Sequence, residues 1–395
     1  MLHAVAGSGS VGVYVHVPFC ERVCPYCDFA VVAARPLEAQ QERRMVDALL
    51  RELAARRDVY AGLRLESIYL GGGTPSLLQP ESVMRILDAV REAFPGIPRE
   101  VTLELNPSTV EAERLPGFRQ AGVDRLSVGV QSFDDGTLRR LGRAHRAEEA
   151  RAALEVACQA GFGRLSLDLI FGVAGQDVPG VKRDVEAALA YAPDHVSAYT
   201  LTVEAGTPLA RGVEKGVIRL PPEEVVAEMM DAVRDGLCAG GLAWYEVSSY
   251  ARPGCQALHN QRYWRRLPVL GIGVGAHSSE PVSHGASYGV RSANERDLGA
   301  WLRRVEGGGA AQPPVVERLT RSQAQLEVVF LGLRTARGLR GAEYAAQFGT
   351  SLQEAFGEVL EQLVASRHIE ISPQGDVRLT RAGWLLADAV CARFC

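Results

Sequence analysis

The sequence predicts an α/β fold: a partial (β/α)6 barrel of parallel strands, followed by a mainly helical, winged-helix-like C-terminal domain. Two observations carry this expectation. Up to Gly206, apolar strand-like segments alternate with segments of helical periodicity across short connections, which is the pattern of a parallel sheet covered by helices. Beyond residue 307 the alternation gives way to helices followed by a hairpin. Such regular repeats favour a closed or partly closed barrel over an open sheet, with its chemistry at the carboxyl ends of the strands.

The expected strands cover residues 11–17, 67–70, 100–105, 125–130, 164–171 and 195–201. Helices are expected at 37–56, where Met45, Leu49 and Leu53 share one face, at 80–94, which opens on Pro80, and at 147–160 and 180–191. After Gly206 the repeat stops. Residues 221–237 read as a helix and 244–292 as an irregular stretch rich in Gly, His and aromatics. Gly307-Gly308-Gly309 and Gln312-Pro313-Pro314 read as a linker. The expected partition is therefore a barrel over residues 1–206, an extension over 207–306 and a C-terminal domain over 307–395. That last part reads as helices at 321–333, 341–348 and 352–365, a hairpin of 368–371 with 377–379, and a closing helix at 380–392.

The chain has 395 residues, enough for two domains, and 47% hydrophobic with 23% charged residues is the profile of a globular protein. A formal net charge of −4 and the lack of a long basic block argue against a nucleic-acid partner, and winged-helix modules often serve only for packing. No stretch approaches the roughly 18 apolar residues that span a bilayer. The first ten residues lack the charged start and apolar run of a secretory signal. The expected location is the cytoplasm, where thiols stay reduced.

Three of the eight cysteines lie within eight residues, Cys20, Cys24 and Cys27, directly after the first strand. The other five, Cys158, Cys238, Cys255, Cys391 and Cys395, are scattered and read as ordinary small residues. Three thiolates on one loop can ligate three irons of a cubane cluster and leave the fourth iron open. Zinc would want a second Cys or His pair, and the sequence has none at such spacing.

The CxxxCxxC spacing after a first strand resembles the radical S-adenosylmethionine (SAM) superfamily. The longer string from Tyr14 to Phe29 resembles the branch that holds oxygen-independent coproporphyrinogen III oxidase and the HemW-like heme chaperones, and the likeness extends over nearly the whole chain. The resemblance implies a 4Fe–4S cluster on Cys20, Cys24 and Cys27, with the methionine part of SAM as ligand of the open iron. It also implies SAM contacts from Tyr14, Tyr26, Gly72, Gly73, Thr74, Glu104, Gln131, Arg143 and Asp168. The chemistry agrees, since carboxylates suit an ammonium or ribose hydroxyls and a guanidinium suits a carboxylate. A carboxylate capping a loop or paired with an arginine is the plainer reading of Glu104 and Asp168, but a charge inside an apolar strand is costly unless it meets a partner.

Within that branch, the oxidases carry a further cysteine two residues after the third and a longer N-terminal extension. Here the position is Phe29, and thirteen residues precede Tyr14. His259-Asn260-Gln261-Arg262-Tyr263-Trp264 matches the HemW signature HNxxYW, and Gly271 to His277 continues the resemblance. A neutral imidazole can ligate heme iron while aromatics stack on the macrocycle, so His259 is the heme candidate, with Asn260 to orient it and His277 behind it. The plainer reading has both histidines stabilising an irregular loop. His16 reads as an orienter of the cluster loop. The resemblance thus implies a heme chaperone that transfers heme to acceptor hemoproteins, with membrane-bound acceptors among the expected contacts. The alternatives are radical decarboxylation of coproporphyrinogen III to protoporphyrinogen IX and a regulator acting through the winged-helix-like module.

Overall fold

A computed structural model describes residues 9–107, 109–281 and 288–395. The first eight residues, read above for a secretory signal, and residues 282–287 of the stretch read as irregular lie outside these.

Six strands follow the expected order: β1 (Ser10–Val17), β2 (Arg64–Gly72), β3 (Glu100–Leu105), β4 (Arg125–Gln131), β5 (Arg164–Phe171) and β6 (His195–Thr200). Each pairs in parallel with the next. The crossovers are α1 (Ala39–Arg56), α2 (Pro80–Ala93), α3 (Thr109–Gln120), α4 (Ala147–Gln159) and α5 (Val178–Leu189), with α6 (Glu223–Ala239) after β6. Period-two alternation decides what faces where. On β1, Val11, Val13, Val15 and Val17 are fully buried in the apolar core, while Gly12, Tyr14 and His16 face the other way, into the barrel.

Helix α3 is absent from the sequence reading because Pro116 and Gly117 lie inside it, a pair that ordinarily punctuates chains. Gly117 is needed for packing, since a Cβ there would stand 2.7 Å from the Pro80 ring that opens α2.

The stretch read as irregular is built into the sheet, and that expectation is corrected. It contains β7 (Ala243–Glu246), β8 (Ser249–Ala251), α7 (Leu258–Trp264), β9 (Val269–Ile272), β10 (His277–Ser279) and most of β11 (Val290–Ala293). These strands have three or four residues, too few for a periodic signal. The twelve-stranded order, completed by β12 (Val315–Arg318), is β12-β11-β10-β9-β1-β2-β3-β4-β5-β6-β8-β7. Strand β9 pairs in parallel with the free edge of β1, which makes seven parallel strands. Antiparallel strands extend both margins.

A second core, with Leu333, Tyr344, Phe348 and Leu360, sits beneath the C-terminal helices Arg321–Leu333, Gly341–Phe348 and Leu352–Ala365 and the hairpin Ile369–Ile371 with Val377–Leu379. The closing helix is two, Arg381–Leu385 and Ala387–Ala392, because Leu386 leaves the helical conformation (φ −115°). Arg381 bridges to Asp231 and Asp235 on α6, and Trp384 packs edge-on against Trp244 with the Arg234 guanidinium over both rings. Among the described residues, no helix is long and apolar enough to cross a membrane.

Glu52 on α1 holds the added strands in place. Fully buried, it accepts bonds from Gly273 N–H (2.8 Å), Asn294 Nδ2 (2.7 Å) and Trp301 Nε1 (3.0 Å), with Arg56 and Arg304 at 3.4 and 3.5 Å. Replacing one partner of such a network strands the others without water. Glu52→Ala is expected to lower unfolding stability by about 3–5 kcal/mol in a urea titration, whereas Glu306→Ala, at an exposed ion pair, should leave the urea midpoint nearly unchanged.

Candidate metal centre and cofactor site

The three clustered cysteines lie on the loop that leaves β1 and returns to α1. A short parallel ladder, Phe19–Cys20 with Val32–Ala33, ties the two ends of this loop together, and a turn places Cys27 N–H on Cys24 O at 3.1 Å. His16 fixes the far side. Its Nε2 meets Ala30 O at 3.0 Å and its Nδ1 meets the Tyr14 hydroxyl at 3.1 Å, so this ring orients the loop as expected.

All three thiols are half-buried and outside any disulfide. Burial pushes the Cys20 thiol up to about 11 and raises Cys27 as well, so these two thiols hold their protons in the metal-free loop and lose them on ligation. Thr74 donates to Cys20 Sγ (3.8 Å) and Arg143 to Cys24 Sγ (3.6 Å). Asn106 joins the two, donating to Thr74 Oγ1 (2.6 Å) and accepting from Arg143. An arc of three polar side chains therefore spans from the first cysteine to the second. Among the described residues, no three His, Cys, Asp or Glu side chains stand ready around a single ion. A cubane asks for something wider, because each thiolate sits on a different iron. Sulfur donors with N–H and O–H groups trained on them suit such a cluster.

Behind the loop, the lumen collects most of the other sequence candidates. Glu104 accepts from the Tyr69 hydroxyl (2.7 Å) and from Gly72 N–H (3.0 Å). Asp168, one strand pair further on, accepts from the Ser127 hydroxyl at 3.2 Å. Burial drives both carboxyls up, Glu104 to about 7 and Asp168 to about 6, and repulsion from Asp168 raises Glu104 further. Tyr14 stacks obliquely on Tyr69 with centroids 6.1 Å apart. Tyr26 packs against Leu141, Ile170 and Val173 at the mouth.

The glycines answer to packing. Gly72 has φ +105°, and a Cβ there would strike the His16 ring at 2.4 Å; a Cβ on Gly73 would strike Phe19 O at 2.6 Å. Gln131 ends β4 at a bulge with φ +65°, a strained conformation for a side chain of this kind. Arg143 is half-buried, but its Nε is fully buried and has no partner among the described residues. A buried guanidinium edge without an acceptor fits an incoming carboxylate.

Tyr69, Asn106 and Ser127 are site residues that the sequence reading does not single out. Tyr69 and Ser127 share the lumen parity of Gly71 and Gly129 on their strands, and Asn106 follows Glu104 by two. Alternation along an identified strand is the signal that would have found them.

His259 lies beneath these residues, its ring centroid 5.3 Å from that of Tyr69 and 6.3 Å from that of Tyr14. Helix α7 crosses the amino-terminal end of the sheet, where Glu100 accepts from Leu258 N–H and His259 N–H (both 3.0 Å) and the buried Arg262 donates to Ser10 O (2.7 Å) and Pro268 O (2.8 Å). The imidazole is 1% exposed, with Nδ1 on Ser67 Oγ at 3.0 Å and Nε2 on Tyr263 OH at 3.1 Å. Burial lowers its pKa to about 3, which keeps it neutral. Ser67 and Tyr263 orient the ring, which corrects the role expected of Asn260. Neither nitrogen is open to iron, so HNxxYW forms the floor of the lumen.

A family model described as the radical SAM superfamily matches residues 14–188, and one described as the HemN C-terminal domain matches residues 319–386. The chain is 33% identical over 383 residues to "Heme chaperone HemW" of Bacillus subtilis, covering 96% of this chain and 98% of that one. The chain belongs to the radical SAM superfamily, in its HemW branch. It is 36% identical to "Heme chaperone HemW" of Mycobacterium tuberculosis, covering 96% of this chain and 93% of that one. It is also 36% identical to the mouse protein "Radical S-adenosyl methionine domain-containing protein 1, mitochondrial", covering 96% and 85%. The solved structure of Escherichia coli coproporphyrinogen III oxidase (HemN) superposes with a TM-score of 0.81 over all of this chain and 92% of that one. At 23% identity this likeness concerns the fold. Membership of the superfamily implies a 4Fe–4S cluster and SAM as cofactors.

The raised carboxyl of Glu104 has a measurable consequence in the metal-free protein. Its folded pKa of about 7 exceeds the value of about 4.3 expected unfolded, so the folded state binds more protons between these limits. Stability should therefore fall as pH rises from about 4.5 to 7, by on the order of 3 kcal/mol from this group. Urea midpoints measured across that window check it, and Glu104→Gln should flatten the slope.

Proposed function

We propose that this protein is a heme chaperone, which binds heme and hands it to acceptor hemoproteins while carrying a 4Fe–4S cluster and SAM. The observation that carries this reading is end-to-end similarity to two proteins named heme chaperone HemW, against a likeness to the coproporphyrinogen oxidase that rests on fold. Phe29 supports it. Where the oxidases have a fourth cysteine, this chain offers an aromatic ring, 68% exposed beside the cluster loop.

In this reading Cys20, Cys24 and Cys27 hold the cluster, and Thr74 and Arg143 brace it through the sulfurs of Cys20 and Cys24. SAM occupies the mouth side of the lumen, among Tyr14, Tyr26, Gly72, Gly73, Gln131 and the two carboxylates. The unpartnered Nε of Arg143 suits its carboxylate, and Glu104 and Asp168 suit its ammonium and ribose hydroxyls. An ammonium beside Glu104 would pull that carboxyl back to its charged form. Bound together, the reduced cluster and SAM supply radical chemistry. The residues above keep water out of the lumen and hold the ligand still. Acceptor hemoproteins, soluble or at a membrane surface, are the partners, and the cytoplasm is the place of action. Residues 1–206 form the cofactor unit, 207–306 close its floor and margin, and 307–395 pack alongside.

Reconstitution under anaerobic conditions tests the reading. With heme added, a stoichiometric Soret shift and no coproporphyrinogen conversion in the presence of SAM and reductant are expected. Conversion without stable heme binding would instead make the protein an oxidase. Cys24→Ala is expected to bring bound iron and sulfide to background, and Thr74→Val to lower cluster retention several-fold on gel filtration.

A further inference from the structure

The reading as a heme binder leaves the iron's ligand to be found, and the inference here rests on that reading. Six histidines lie among the described residues. His16, His195 and His259 are buried with both ring nitrogens engaged, His195 by Ser166 (2.8 Å) and Tyr245 (2.8 Å). His145 is buried with Nε2 on Val130 O at 3.1 Å. His368 sits in the C-terminal domain, half-buried, with Nδ1 on Ser366 at 2.9 Å. His277 differs from them all. It is exposed, and neither ring nitrogen has a partner among the described residues.

Its position bears on function. Strand β9, by pairing with β1, sends the turn after it directly onto the cluster loop. A Cβ on Gly275 would stand 2.7 Å from Ala30, and Gly275 N–H bonds Glu295 O at 2.7 Å. From the neighbouring segment Arg296 clasps Asp28, with Nη2 on Oδ1 at 2.9 Å. Phe29 is thus held between a residue gripped by Arg296 and a residue in contact with the His277 turn. Three complementary groups meet at one rim: an open imidazole, a ring that is 68% exposed and a guanidinium whose side chain is 63% exposed. An iron porphyrin asks for these: a nitrogen for the metal, an apolar face for the macrocycle and a cation for a propionate. Local packing and the nearby Arg296 lower the His277 pKa, which favours the neutral ring that ligates metal.

We infer that heme docks on the outer rim of the cluster loop, with His277 as its axial iron ligand, Phe29 against the macrocycle and Arg296 toward a propionate. This puts the cargo beside the cluster and away from HNxxYW, whose histidine serves the lumen floor. His277 is exposed and its side chain holds no bond among the described residues, so its replacement is expected to leave the fold intact.

Hemin titration of the cluster-loaded full-length chain tests the inference. His277→Ala is expected to weaken binding at least tenfold and to move the Soret maximum away from the wild-type position. His277→Met should keep tight binding with a different Soret maximum, since a thioether replaces the imidazole. Phe29→Ala should weaken binding several-fold without moving the band. Wild-type binding that His277→Ala leaves unchanged in affinity and spectrum overturns the inference, as does a loss seen instead in His3→Ala, His284→Ala or a folded His259→Ala. A wild-type chain that shows no Soret shift overturns the heme reading itself, and the inference with it.

Discussion

A parallel strand inside a sheet must satisfy its amide and carbonyl groups on both edges, and β1 meets this demand with two very different partners. On one side lies β2, its neighbour in the chain. On the other lies β9, more than half the chain away, in a parallel register from Gly12 with Val269 to Val15 with Ile272. The cluster loop springs from the end of this doubly held strand. Had β1 remained an edge, the loop would have had one wall. With β9 in place it has two: Gly72 and Thr74 on the barrel side and the turn through Gly275 and His277 on the other.

The same pairing explains the burial of charge under the extension. Bringing Gly273 and Asn294 against α1 leaves polar groups with no route to water, and Glu52 with Arg56 and Arg304 supplies their partners. At the other end of the barrel Arg262 does a similar service for Ser10 and Pro268. These arginines explain why the chain spends so many of them inside: a planar fork can satisfy several fixed oxygens at once, which an ammonium on a flexible stem does less well.

The half of the molecule built from local alternation was legible in the sequence. Strands such as Glu100–Leu105 and Arg164–Phe171 have the expected bounds because six or eight residues in which apolar positions alternate with polar ones have few other uses between turns. Strand β9 was not legible, since Val269-Leu270-Gly271-Ile272 is too short to carry a period and its partner is remote. The cluster loop could be read from spacing alone, as its chemistry is local. HNxxYW shows the opposite case. Its residues were legible as a pattern, but only the fold reveals that Ser67, Glu100 and Ser10, from three strands, turn that pattern into a plug. A histidine in a motif and one that opens a short strand look alike until burial separates them.

The Arg296 clasp on Asp28 joins residues 268 positions apart. On a ribosome the chain emerges from its first residue at roughly 5–20 residues per second. The cysteine loop is therefore outside long before its second wall exists, and it waits for the greater part of synthesis without the turn that will press on Ala30. The loop gains its second wall only after Arg296 has emerged, so a two-walled pocket is a late product of synthesis.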